Sequence, residues 1–165
     1  MAKTLDTQKA LERAQRLCSL QEKCISDVKL KLIQWGANTD DITGIIKQLV
    51  ESGFINEQRF ALSFARDKAN GNHWGPKKIE MALRTKRISD ELIQLALEDV
   101  EPLTDNETLG KLLSKKLRSL KYKNIYVLKN KMLRFGVSRG FNYGDVRDET
   151  DKIIRDLDLT EDSDY

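Results

Sequence analysis

Slide this sequence along itself by 51 residues and Val28, Leu32, Ile42, Ile46 and Leu49 fall on Ile79, Leu83, Ile93, Leu97 and Val100. Slide it by 104 and they fall on Met132, Gly136, Val146, Thr150 and Ile153, so three of the five positions stay apolar. Within each set the spacings are those that line one face of an α-helix. A pattern that is helical throughout and recurs at this length points to tandem helical modules, each of which buries its apolar face partly against its neighbours, with a compact nine-helix bundle as the alternative. No stretch alternates with period two for long enough to make a strand, and 9 glycines and 2 prolines leave few turns for a sheet protein. We therefore expect an all-α protein of three repeats, each a leading helix, a short link, and two helices joined by a tight turn.

Boundaries are expected near residues 55 and 103. The repeats would then be 1–55, 56–103 and 104–157, and 158–165 would be an acidic, disordered tail. Nine helices fit this frame. Asp6 or Thr7 can cap the first, Ser26 and Asp27 open the second, and Asn38-Thr39-Asp40 opens the third. Gly36 and Gly53 stand where the second and third should stop. The fourth runs from Asn56 to Asn70-Gly71, with Phe60 and Phe64 on one face. Ser89 caps the sixth, Thr104-x-x-Glu107 is a capping-box pattern for the seventh, and the eighth carries Ile125, Leu128, Met132 and Phe135. The ninth begins near Asn142.

The fifth helix starts in an unusual stretch, His73-Trp74-Gly75-Pro76-Lys77-Lys78-Ile79. Gly75 reads as its N-cap and Pro76 as its first residue, where a missing N–H is harmless. Trp74 and Ile79 then occupy the positions that a hydrophobic staple pairs. His73 reads as an exposed loop residue. Lys77 and Lys78 are less comfortable, because the dipole at a helix start disfavours cations. Free N–H groups beside two ammonium groups would suit a phosphate or an acidic side chain.

Charge is segregated along the chain. Residues 66–87 carry seven Lys/Arg against Asp67 and Glu80, and 108–139 carry ten with no acid, whereas 145–165 hold nine Asp/Glu against three basic residues. Basic blocks of this kind favour polyanions or an acidic partner. The candidate contact residues are Lys77, Lys78, Arg84, Lys86 and Arg87, then Lys115, Lys116, Arg118, Lys121, Lys123, Arg134 and Arg139, with the basic blocks expected to share one concave groove. No phosphate-binding glycine loop, His-Glu-x-x-His or nucleophile–base constellation occurs. Cys18 and Cys24, six apart, have no metal-ligand spacing, and one His cannot complete a metal site. No apolar run approaches a membrane span, and the first residues lack the apolar stretch of a secretory signal. A non-enzymatic, cofactor-free, monomeric protein of the cytoplasm is expected.

The segment LVESGFINEQRFALSFARDKANGNHWGPKKIEMALRTKRI, residues 49–88, resembles the signature region of the RecX family of bacterial recombination regulators. Gly53-Phe54-Ile55, Arg59-Phe60-Ala61 and Trp74-Gly75-Pro76-x-x-Ile79 carry the match. KNKMLRFGVSRGFNYGDV, residues 129–146, resembles it again around Arg139-Gly140-Phe141. Gly136 stands where this family usually has a larger apolar residue. The resemblance implies an elongated, curved molecule of three-helix repeats in the bacterial cytoplasm. It also implies binding to the RecA recombinase on single-stranded DNA, with inhibition of its ATPase and strand exchange. Two other readings remain open: a general single-stranded DNA-binding module and a scaffold whose basic face meets an acidic protein.

Overall fold

The computed structural model of the chain describes residues 5–161, with side chains as far as 157. The helices are α1 (Thr7–Leu20), α2 (Ile25–Gln34), α3 (Thr39–Glu51), α4 (Glu57–Asn72), α5 (Pro76–Thr85), α6 (Asp90–Asp99), α7 (Asn106–Leu117), α8 (Ile125–Ser138) and α9 (Tyr143–Glu161). A short 3₁₀ turn, Glu101–Leu103, precedes α7. Among the described residues there is no strand, only an isolated bridge between Leu5 and Ala37.

Most helices begin where a side chain can accept an otherwise orphaned backbone N–H. Asp6 accepts from Lys9, Asn38 from Asp40, and Asn124 from Val127. Two starts differ from expectation. The capping box at Thr104 does not form: its hydroxyl donates back to the Val100 carbonyl, 3.1 Å, and Asp105 caps α7 by accepting from Thr108, 2.8 Å. Helix α2 starts one residue early, at Ile25, whose N–H donates to the distant Glu57 carboxylate, 3.0 Å. Ser26, expected to open that helix, instead donates its hydroxyl to the Lys86 carbonyl.

The repeat is visible in how helices end. Gly36, Arg87 and Gly140 follow α2, α5 and α8, and each has positive φ, 78°, 60° and 94°. In each case the next N–H reaches back five residues: Ala37 to Leu32, Ile88 to Leu83, and Phe141 to Gly136. These are the left-handed closures that satisfy last-turn carbonyls. Arg87 and Gly140 lie 51 and 104 residues beyond Gly36, the same offsets as the apolar pattern. Val28, Leu32, Ile79, Leu83, Met132 and Val146 are all fully buried.

The chain divides into two compact units. One comprises the residues up to Phe64 with Ala82–Ala96; the other comprises Ala65–Met81 with Leu97 onward. In the first, Ala10, Leu11, Ala14, Val28, Leu32, Ile42, Ile45 and Leu49 form a core under α1–α3. Phe54 packs against it beside the turn at Gly53, and Phe60 is buried on α4. In the second, Leu109, Leu113, Leu128, Met132, Phe141 and Val146 pack beneath α7–α9.

Gly136 leaves no hole in this core. A Cβ there would lie 2.5 and 2.8 Å from the methyls of Val146, which fill the space a larger residue would take. Helix α4 runs past Asn70-Gly71 to Asn72 and closes at His73, exposed with φ 53°. Helix α9 continues through Glu161, into the stretch expected to be a disordered tail; 162–165 lie outside the described residues.

Candidate nucleic-acid and partner interface

The two motifs singled out in the sequence, 65 residues apart, meet in the second unit. Helix α5 starts at Pro76, with the Gly75 carbonyl accepting from Ile79, as expected of an N-cap. The Gly75 N–H donates to the Arg139 carbonyl, 2.6 Å, and the Lys77 N–H to the Gly140 carbonyl, 3.0 Å. The end of α8 thus supplies acceptors to the start of α5, and the positive and negative ends of two helix dipoles face each other. Only glycines permit this approach. A Cβ on Gly75 would lie 2.5 Å from the Gly140 backbone, and one on Gly140 would lie 2.3 Å from Lys78 Cβ.

This contact replaces the anion site expected at the α5 start. The Gly75 and Lys77 N–H groups that would have received an anion are already bonded to carbonyls. It also resolves the awkward lysines: Lys78 donates its ammonium to the Ser138 carbonyl, 3.2 Å, so it answers the negative end of α8.

Around the junction, cations stack on rings. The ammonium groups of Lys68 and Lys78 lie 4.9 and 4.7 Å from the centre of the half-buried Trp74 ring. Lys116 and Arg139 lie 5.1 and 5.3 Å from the Phe135 ring. Arg139 also donates to the Asn72 carbonyl, 3.0 Å, two residues before Trp74. Four cations and two rings therefore gather in one unit, a combination that attracts polyanions and aromatic bases. Lys68 was not singled out from sequence. The left-handed turn at His73 brings Trp74 back toward it, and the Trp74 N–H donates to the Lys68 carbonyl.

Other basic residues hold the fold. Lys86 pairs with Asp27 at 2.8 Å and lies 5.7 and 6.0 Å from the Phe60 and Phe64 rings. Arg84 pairs with Asp90, and Arg66 makes two bonds to Asp99, which hold the Asp99 carboxyl below its ordinary range. Lys115 and Arg118 line an open cleft of about 730 Å³ that also contains Glu107, Glu149 and Asp156, so its charge is mixed. Lys77, Arg87, Lys121, Lys123 and Arg134 are exposed. Arg84, Lys86 and Arg87 belong to the first unit and the other nine candidates to the second. Cys18 and Cys24 are buried free thiols, and burial pushes both above the ordinary cysteine range, which keeps them protonated.

Fold and site together define an all-α repeat protein that carries a cation–aromatic cluster where two helix ends interlock. Sequence models of the RecX second and third three-helix domains match residues 56–97 and 104–148. The chain belongs to the RecX family of regulatory proteins. It is 39% identical to the regulatory protein RecX of Haemophilus ducreyi over 70% of this chain and 73% of that one. Against the Clostridium botulinum protein of the same name it is 30% identical, covering 88% and 69%. The crystal structure of RecX from Lactobacillus salivarius superposes with a TM-score of 0.73 at 28% identity, over 93% of this chain and 97% of that one. Among the described residues no helix is long and apolar enough to cross a membrane.

Proposed function

We propose that this protein is a non-enzymatic regulator that binds the RecA recombinase filament on single-stranded DNA and inhibits its ATPase and strand exchange. The observation that carries this reading is the motif junction. The residues most characteristic of the family resemblance hold Lys68, Lys78, Lys116 and Arg139 against two aromatic rings. Such a face meets acidic side chains and phosphates with the same groups. The working domain division remains 1–55, 56–103 and 104–157, and the working oligomeric state is a monomer in the bacterial cytoplasm.

Co-sedimentation with preassembled recombinase filaments tests the reading. The protein should pellet with filaments in low salt and be released as salt rises, with a slope of about −0.7 per neutralised phosphate for contacts to the strand. A protein that stays in the supernatant at every salt concentration contradicts it. Equal binding to bare strands and to filaments would favour the general DNA-binding reading instead.

A further inference from the structure

Between α7 and α8 runs Arg118-Ser119-Leu120-Lys121-Tyr122-Lys123-Asn124-Ile125-Tyr126, which holds three cations and no acid. Both tyrosines are exposed, Tyr122 by 44% and Tyr126 by 75%, and Ile125 between them by 43%. This segment is anchored. Leu120 packs against the α7–α9 core, the Lys131 ammonium donates to the Lys121 carbonyl at 2.5 Å, and Asn124 caps α8. The fold therefore fixes the segment at both ends and leaves Tyr126 largely, and Tyr122 partly, open to solvent. Among the described residues no carboxylate pairs with Arg118, Lys121 or Lys123, in contrast to Arg66, Arg84 and Lys86.

From this we infer that Tyr122 and Tyr126 form a second binding site, a stacking platform for the bases of a single-stranded nucleic acid whose phosphates meet Lys121 and Lys123. Exposed phenol rings are hydrophobic surface that folding leaves unburied, and bases are the ligands that use their faces. Unpaired cations interleaved with the rings match the phosphate on either side of each base. Rings interleaved with cations match a base and its phosphate together, whereas a protein partner need not alternate in this way, so the pattern favours nucleic acid. The site is separate from the motif junction and rests only on the nucleic-acid half of the proposed function.

The test uses the protein alone with a fluorescent oligo(dT) and its RNA counterpart, read by anisotropy. A parallel arm uses an oligonucleotide carrying 5-iododeoxyuridine, irradiated and mapped by mass spectrometry. Crosslinks should fall on Tyr122 or Tyr126. Tyr122→Ala and Tyr126→Ala should each weaken binding about tenfold, while Tyr→Phe at either position retains it. Lys121→Gln with Lys123→Gln should make the salt slope shallower, by about 0.7 for each lost contact. Thermal melting should be unchanged in all of these, since the side chains are exposed. Failure of the wild type to bind either oligonucleotide overturns the site, as does wild-type affinity in the alanine variants. Polyglutamate binding that ignores the tyrosines while oligonucleotide binding ignores them too would reassign the patch to acidic proteins. Filament co-sedimentation is scored separately, so a failed stacking site and a failed regulator give different results.

Discussion

At the residue scale, two positions are locally unfavourable and invite correction. Arg87 holds φ 60° at the end of α5, where Gly36 and Gly140 serve at the equivalent ends of α2 and α8. A side chain in the left-handed region costs about 1 kcal/mol, so Arg87→Gly should raise stability by that amount in urea denaturation. A loss of stability would mean that the Arg87 side chain makes compensating contacts. Thr150 is fully buried and its hydroxyl has no hydrogen-bond partner within the protein. The repeat pattern places it opposite Ile46 and Leu97, where an apolar residue belongs. Thr150→Val keeps the shape and removes the orphaned hydroxyl, and should stabilise by about 1 kcal/mol. A lower denaturation midpoint would indicate a buried water bonded to that hydroxyl.

At the element scale, the docking of α8 onto the start of α5 separates two neighbouring lysines that look alike in sequence. Lys77 is exposed at a helix start whose dipole the α8 carbonyls already answer, so Lys77→Glu should change stability little. Lys78 donates to the Ser138 carbonyl and stacks on Trp74, so Lys78→Glu should lower it by about 1 kcal/mol and alter tryptophan fluorescence. Equal effects from the two would contradict the junction. The start of α7 carries a pH dependence. Backbone bonding to Thr108 holds the Asp105 carboxyl below its ordinary value of 3.8. A depressed acid contributes stability that is fully present above the unfolded value and is lost as pH falls through the folded one. Stability should therefore decline below about pH 4 partly through Asp105, and Asp105→Asn, which preserves the cap, should flatten that part of the profile.

Helix type and the glycine-marked ends at Gly36 and Gly53 were legible in the sequence because they depend on neighbours a few residues away. Long-range partners were not. That Glu57 caps α2, that Val146 fills the space above Gly136, and that α8 carbonyls occupy the α5 start depend on residues brought together only by packing. Thr104 was misread because Asp105, one residue on, offers a charged acceptor to the same helix. Of the candidate contacts, sequence identified the charge but not which cations the fold engages. Lys86 and Arg84 are ion-paired, Lys78, Lys116 and Arg139 gather on rings, and Lys68 joins them only through the turn at His73.

At the scale of the whole molecule, the chain is an all-α repeat protein of the RecX family whose charge is segregated along its sequence. Acidic residues concentrate toward the end of the chain, where Asp151 pairs with Lys129 and Glu149 with Lys152. The segment 108–139 contributes only basic charge. In the proposed function, the basic and aromatic face acts by occupying a recombinase filament. The central claim is therefore tested most directly by the ATPase rate of RecA on circular single-stranded DNA as this protein is titrated in. The account predicts a rate that falls with added protein toward a low plateau, and a weaker effect at the same concentration for a variant with Lys68, Lys116 and Arg139 changed to Gln and shown to be folded. An ATPase rate unchanged at saturating protein, under salt conditions in which the wild type is folded and soluble, would contradict it.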